Sequence, residues 1–158
     1  MKRLAVVALI ILPLACATPR PGTTKNTSTP GRGAITLTVT PNPVIATNIG
    51  GKTYDFPFDV AVKETGGHPV TIERVTANVY AGGGIPVAAE SYDAAKIQSL
   101  GFATTIQAKG ELHYHFDPHK DVPDDSLFNS VYGDVRVEAI DDNGSRASST
   151  TTITVKKR

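Results

Sequence analysis

The chain has 158 residues, of which 20% are charged and 6% aromatic, with a single cysteine and no tryptophan. This length suits one domain with a real hydrophobic core, and one cysteine excludes an internal disulfide. Residues 34–155 contain 8 Lys and Arg against 15 Asp and Glu, a net charge of −7, although the whole chain carries +1. Nucleic-acid phosphates require a basic surface, so this acidic body excludes nucleic acid as an expected partner.

The first 15 residues have the layout of an export signal. Lys2 and Arg3 precede an apolar run, residues 4–14, which is followed by Ala15. The run has 11 residues, whereas a membrane-spanning helix needs about 20. A basic start, a short apolar stretch and a small residue at its end together predict a cleaved signal peptide over residues 1–15.

Cys16 directly follows this run. Its position resembles the lipobox of bacterial lipoproteins, in which the thiol is acylated and becomes the mature N-terminus. The resemblance implies cleavage after Ala15, lipidation of Cys16 and attachment to a bacterial membrane, at the periplasmic face or the cell surface. Ala15-Cys16-Ala17 also fits the small-x-small rule of ordinary signal peptidase. That alternative would remove the cysteine and release a soluble secreted chain that begins at Thr18.

The next segment, residues 16–33, consists of small and polar residues with several Pro and Gly and no large apolar side chain. Such a composition buries too little surface to offset the entropy of ordering. We therefore predict a disordered tether over residues 16–33 and a folded domain over residues 34–158.

From residue 34 onward, apolar residues recur with a period of two, which indicates half-buried β-strands. The alternation is clearest over residues 35–40 and 56–63. Within residues 70–79 its phase changes at Glu73-Arg74, which predicts a β-bulge or a bend there. Further strands are expected at 85–89, 102–106, 112–116, 131–140 and 147–155.

Two short signals complete this pattern. Residues 93–100 are the one helical candidate, with Asp93 as N-cap and Gly101 after the last turn. Asp141-Asp142-Asn143-Gly144 is typical of a hairpin turn. Seven to nine strands with at most one short helix predict an all-β fold, an antiparallel immunoglobulin-like β-sandwich.

The closing hairpin carries a family resemblance. Residues 135–155, VRVEAIDDNGSRASSTTTITV, are similar to the last hairpin of bacterial immunoglobulin-like domains of the polycystic-kidney-disease and cadherin-like types. In these domains an alternating strand ends in Asp, turns through Asn-Gly and returns as a Thr-rich strand. The resemblance implies a sandwich that mediates interactions.

Chemistry-bearing residues concentrate in residues 111–121. On a strand, Glu111, His113, His115 and Asp117 share one face. Two imidazoles at this spacing suit Zn²⁺ or Cu²⁺, with Asp117 or His119 completing the ligand set. The same alternation also arises when these side chains simply face solvent, and this second interpretation stays open.

Other candidate sites are weaker. The oxygen ligands of Asp117, Asp121, Asp124 and Asp125, or of residues 141–143, suit Ca²⁺, but neither stretch has the Gly and closing Glu of an EF-hand. The chain contains no Gly-x-Ser-x-Gly elbow and no phosphate-binding loop.

We therefore expect a non-catalytic envelope lipoprotein without a cofactor, whose sandwich binds an envelope protein or a glycan or serves as an accessory subunit. The alternative is metal binding or sequestration through the histidine face.

Overall fold

A computed structural model of the chain describes residues 22–158. Within this range the chain forms twelve β-strands, one α-helix and two short 3-10 turns, at Gly82–Gly84 and Asp125–Asn129. The elements are β1 (Thr24–Thr27), β2 (Ile35–Thr40), β3 (Val44–Gly50), β4 (Thr53–Asp55), β5 (Phe58–Glu64), β6 (Val70–Ala81), β7 (Ile85–Asp93), α1 (Ala94–Ser99), β8 (Thr105–Ile106), β9 (Glu111–Phe116), β10 (His119–Asp121), β11 (Tyr132–Asp141) and β12 (Arg146–Lys157).

The strands form two packed sheets. The smaller has the order β2-β5-β9, and the larger has the order β10-β4-β3-β12-β11-β6-β7, with β1 paired to β12 and β8 paired to β6. All pairings are antiparallel except that of β3 with β12. Strands β2, β5 and β9 take the places of strands A, B and E of the immunoglobulin fold, and β6, β11 and β12 take those of C, F and G. The predicted all-β, immunoglobulin-like sandwich is confirmed, and the short strands β1, β4, β8 and β10 raise the strand count above nine.

The core lies between the sheets and follows the alternation of the sequence. Leu37 and Val62 from the smaller sheet, and Ile72 and Val137 from the larger, are fully buried. The buried apolar cluster also contains Ile35, Val39, Val60, Val70, Ile97, Ile106, Tyr114, Val135, Ala139 and Ala147.

The predicted phase change in β6 is a β-bulge. Arg74 pairs with Glu138 and Ile72 pairs with Ala139, so Glu73 has no opposite residue of its own. The extra residue turns the second half of the strand back into phase with β11.

Helix α1 is also confirmed. The Asp93 side chain caps it by accepting a hydrogen bond from Lys96 N at 2.8 Å, and Ile97 places its one buried side chain in the core. Gly101 follows with φ of +85°, a left-handed conformation that glycine adopts without strain.

The predicted tether requires a correction. Residues 24–27 form β1, which pairs with Ser148–Thr151 of β12, and Gly22 N donates to Thr152 O at 3.0 Å. A segment without large apolar side chains gains little from burial, but this one is ordered by backbone hydrogen bonds to the edge of β12. Of the predicted tether, residues 16–21 lie outside the described residues, as does the predicted signal peptide. At its other end, Arg32 N donates to Thr29 O at 3.2 Å and Gly33 N donates to Asp141 Oδ2 at 3.0 Å. No helix within residues 22–158 has the length and apolarity needed to cross a membrane.

Candidate functional site

Strand β9 carries the histidines identified in the sequence. Its residues alternate, so Tyr114 is buried while His113 and His115 are exposed. His113 Nε2 lies 3.2 Å from Glu111 Oε1, and His115 Nδ1 lies 2.8 Å from Asp59 Oδ1 of the neighbouring β5. Each imidazole has its own carboxylate partner. The structure therefore does not bring His113 and His115 to one shared ligand position.

A different group of metal-ligating side chains lies at the end of the same strand. Asp117 follows β9, Asp55 ends β4, and His119 begins β10. One ligand atom from each of the three residues lies within 4.8 Å of the others. Asp117 and His119 were sequence candidates, but Asp55 was not, because only the pairing of His119 with Asp55 brings it there.

The environment of Asp55 is unusual for a carboxylate. Its side chain is 23% exposed as a whole, but its Oδ1 atom has less than 1 Å² of accessible surface and no hydrogen-bond donor among the described residues. His119 Nε2 lies 3.4 Å from this atom, an ion-pair distance without hydrogen-bond geometry. A hydrogen bond with Asp117 and burial, aided by the charge of Asp117, raise the pKa of Asp55. These effects outweigh the opposing effects of His119 and of the Phe56 backbone N–H.

Apart from Asp117, the acidic residues considered for Ca²⁺ each have partners of their own, including Asp142, whose Oδ1 lies 3.5 Å from His68 Nδ1. In residues 121–125 every aspartate has a protein donor of its own, and in the hairpin turn Asp141 accepts from backbone N–H groups. The partners are Thr53 for Asp121, the backbone of Ser126 for Asp124, Tyr54 and Lys157 for Asp125, and Gly33, Asn143 and Ser145 for Asp141.

The outer edge of β12 is covered along much of its length. Strand β1 pairs with residues 148–151 and β3 with residues 155–157. Between them, the Asn42 side chain donates to Thr152 O at 2.9 Å and accepts from Thr154 N at 3.2 Å. This edge is therefore protected from pairing with another chain.

The opposite edge of the large sheet is formed by β7 and is open. This strand pairs with β6 on one side and has no strand partner on the other side within residues 22–158. Eight of its nine residues are exposed, with Tyr92 the exception. Ile85 and Val87 are 62% and 57% exposed, and Glu90 and Asp93 are the only charged residues of the strand. The sequence predicted a strand at 85–89 but not its edge position, which only the sheet order reveals.

The two residues assigned to export, Ala15 and Cys16, lie outside the described residues. Their roles stay predictions.

No protein-family model matches the chain, and no curated protein matches it. Several solved structures are similar to the chain. The X-ray structure of the Northeast Structural Genomics Consortium target SoR45 has 12% identity over 77% of this chain and 86% of its own, with a TM-score of 0.54. The putative ApaA protein from Bordetella pertussis has 13% identity over 86% of this chain and 96% of its own, with a TM-score of 0.45.

A third solved structure is the CARDB domain of the PF1109 protein from Pyrococcus furiosus, determined in complex with di-metal ions. It has 13% identity over 79% of this chain and 90% of its own, with a TM-score of 0.35. Among the three, the likeness to SoR45 is the one that shows a shared fold, and it extends to the fold alone.

Proposed function

We propose that the protein is a non-catalytic, lipid-anchored domain of the bacterial cell envelope that binds an extended polypeptide segment by strand addition to β7. The observation that carries this proposal is the open edge of β7. An unpaired strand presents a row of backbone N–H and C=O groups, and an added strand satisfies them.

The side chains of β7 favour a polypeptide occupant. Ala88 and Ala89 are small and exposed, so they permit close approach of another backbone. The strand contains no lysine or arginine, and lysine is the residue that often blocks pairing at natural sheet edges. Only the first part of β7 is irregular. It contains Pro86, and its register with β6 shifts between Val79 and Tyr80. The regular segment is residues 88–93, long enough for several main-chain hydrogen bonds.

The position of the N-terminal segment is compatible with this role. Strand β1 lies against the outer edge of β12, and β11 and β6 separate β12 from β7. Three strand spacings of about 4.8 Å place the open edge roughly 14 Å from β12. A lipid on Cys16 would therefore hold the domain by one edge of the sheet and leave the other edge exposed.

Site-directed photo-cross-linking in the native envelope tests the docking edge. With p-benzoylphenylalanine at Ser91, we expect a specific covalent adduct to a polypeptide. The substitution Ala89→Lys should abolish the adduct, because it places a long charged side chain on the edge. The matched control Ala108→Lys makes the same change at an exposed turn residue and should leave the adduct intact. Equal adducts with both lysine variants, or an adduct only to a second copy of this chain, would overturn the proposal.

Intact-mass analysis of the mature chain purified from membranes tests the anchor. We expect a diacyl or triacyl adduct on Cys16 and a chain that begins at this residue. An unmodified chain beginning at Thr18 would contradict lipidation and support secretion in soluble form, without affecting the docking edge.

A further inference from the structure

The side chains of Asp55, Asp117 and His119 lie together at one corner of the sandwich. Asp55 and His119 are directly opposite each other in the β4–β10 pair. Asp117 is separated from His119 by Pro118 alone, and Pro118 O accepts a hydrogen bond from Phe56 N at 3.1 Å. The backbone thus fixes the spacing of all three residues without requiring any contact among their side chains.

Distance supports a metal at this corner. In a tetrahedral zinc site, donor atoms about 2.0–2.1 Å from the ion lie roughly 3.3–3.4 Å from each other. Asp55 Oδ1 and His119 Nε2 are 3.4 Å apart. The third donor, from Asp117, lies within 4.8 Å of both, and the Asp117 side chain is exposed.

The charges lead to the same conclusion. Asp55 and Asp117 are neighbouring carboxyl groups, and within residues 22–158 neither forms an ion pair with a lysine or arginine. Asp55 Oδ1 is shielded from solvent and receives no hydrogen bond from the described residues. A buried carboxylate oxygen without a donor is costly, and a cation between the two carboxylates and the imidazole would remove this cost.

We propose that Asp55, Asp117 and His119 bind one divalent transition-metal ion, with Zn²⁺ the best fit. A mixed set of two carboxylates and one imidazole favours Zn²⁺ over Ca²⁺ or Mg²⁺, which prefer oxygen ligands alone. Three protein ligands leave a fourth position for water or a group of a binding partner. The site is separate from the β7 edge and uses neither His113 nor His115.

Metal titration of the full mature chain tests this site, with the Cys16 thiol acylated or alkylated so that it does not bind the probe. After removal of metal by a chelator, we expect Zn²⁺ to bind at a 1:1 ratio and to shift the His119 ring resonances. Co²⁺ should give the intense visible absorption of a four-coordinate ion.

Substitutions assign the ligands. Asp117→Asn and His119→Gln alter exposed side chains and should each weaken Zn²⁺ binding by more than about 100-fold, since even outer-shell partners of a metal account for 10–100-fold. The control variants His113→Gln and His115→Gln should bind as the unmodified chain does. Circular dichroism verifies that every variant is folded.

Two results would overturn the proposal. One is the absence of bound Zn²⁺ and Co²⁺ at stoichiometric concentration. The other is loss of binding in His113→Gln and His115→Gln but not in Asp117→Asn, which would place the metal on the exposed face of β9.

Discussion

Glu64 is a charged residue that is completely buried in the domain. It ends β5 on the core side and is 0% exposed. Its carboxylate accepts hydrogen bonds from the backbone N–H groups of Ala34, Gly66, Gly67 and Lys109, at 2.6–3.2 Å. One side chain therefore joins the start of β2, the turn after β5 and the turn before β9.

Replacing Glu64 should destabilise the fold. In Glu64→Gln an amide NH₂ replaces one oxygen, so at least one buried N–H group loses its acceptor, at a cost of about 1–3 kcal/mol and more for a charge-assisted bond. Urea denaturation should show this loss in the free energy of unfolding. The same change at exposed Glu90 should stay within about 0.5 kcal/mol. Equal stabilities of the two variants would contradict this role.

Acid should destabilise the domain through Glu64 and Asp141. Burial alone would raise the pKa of Glu64, but the four N–H donors lower it on balance from its ordinary value of 4.5. The Gly33 N–H, together with those of Ser145 and Asn143, lowers the pKa of Asp141 from 3.8.

Because both folded-state pKa values are depressed, the stabilisation is complete above the ordinary values and is lost as pH falls through the folded-state values. The free energy of unfolding should therefore decline below about pH 4.5, and Glu64→Gln should show a shallower decline. A pH profile identical to that of the unmodified chain would refute the assignment to Glu64.

At the scale of elements, a chain of two hydrogen bonds, called the polar relay below, connects β1 to both sheets. Ser149 is fully buried; its Oγ accepts from Leu37 N of β2 at 3.0 Å and donates to Asn26 Oδ1 of β1 at 2.7 Å. A strand without apolar side chains is thus held by hydrogen bonds that close the β12 edge.

Removing the end of this relay should weaken β1. In Asn26→Ala the Ser149 hydroxyl loses its acceptor, and we expect a stability loss of about 1–3 kcal/mol together with faster amide exchange in residues 148–151. Lys25→Ala, at the exposed neighbouring position, is the control and should change little. Equal exchange rates in the two variants would show that the relay does not hold β1.

The elements that were predictable depend on local pattern. Alternation located β2, β5, β9 and β11, a phase change located the bulge at Glu73, and the Asp93 cap located α1. The features that the sequence did not predict depend on which strands are neighbours in the fold. The β12 edge that orders residues 24–27, the Asp55–His119 pair and the burial of Glu64 all result from chain segments far apart in sequence, and no periodicity records them.

At the scale of the whole molecule, the two edges of the large sheet differ. Strand β1, Asn42 and β3 cover β12, and beyond β3 the sheet continues to the short strands β4 and β10. At the other end of the sheet, β7 has nine residues with exposed apolar side chains and few charges. Natural sheets normally protect a long edge, so the open edge of β7 is consistent with use in binding. The sandwich was predictable from sequence, but this asymmetry was not, because it follows from sheet order.

Amide hydrogen exchange of the full mature chain, alone and with the cross-linked partner's segment, tests the docking of a strand on β7 most directly. We predict that outward-pointing amides of residues 88–93 exchange at least about tenfold more slowly in the complex, since each gains a main-chain hydrogen bond, while amides of β9 are unchanged. Unchanged exchange in β7, with protection on β9 or elsewhere, would contradict strand addition to β7.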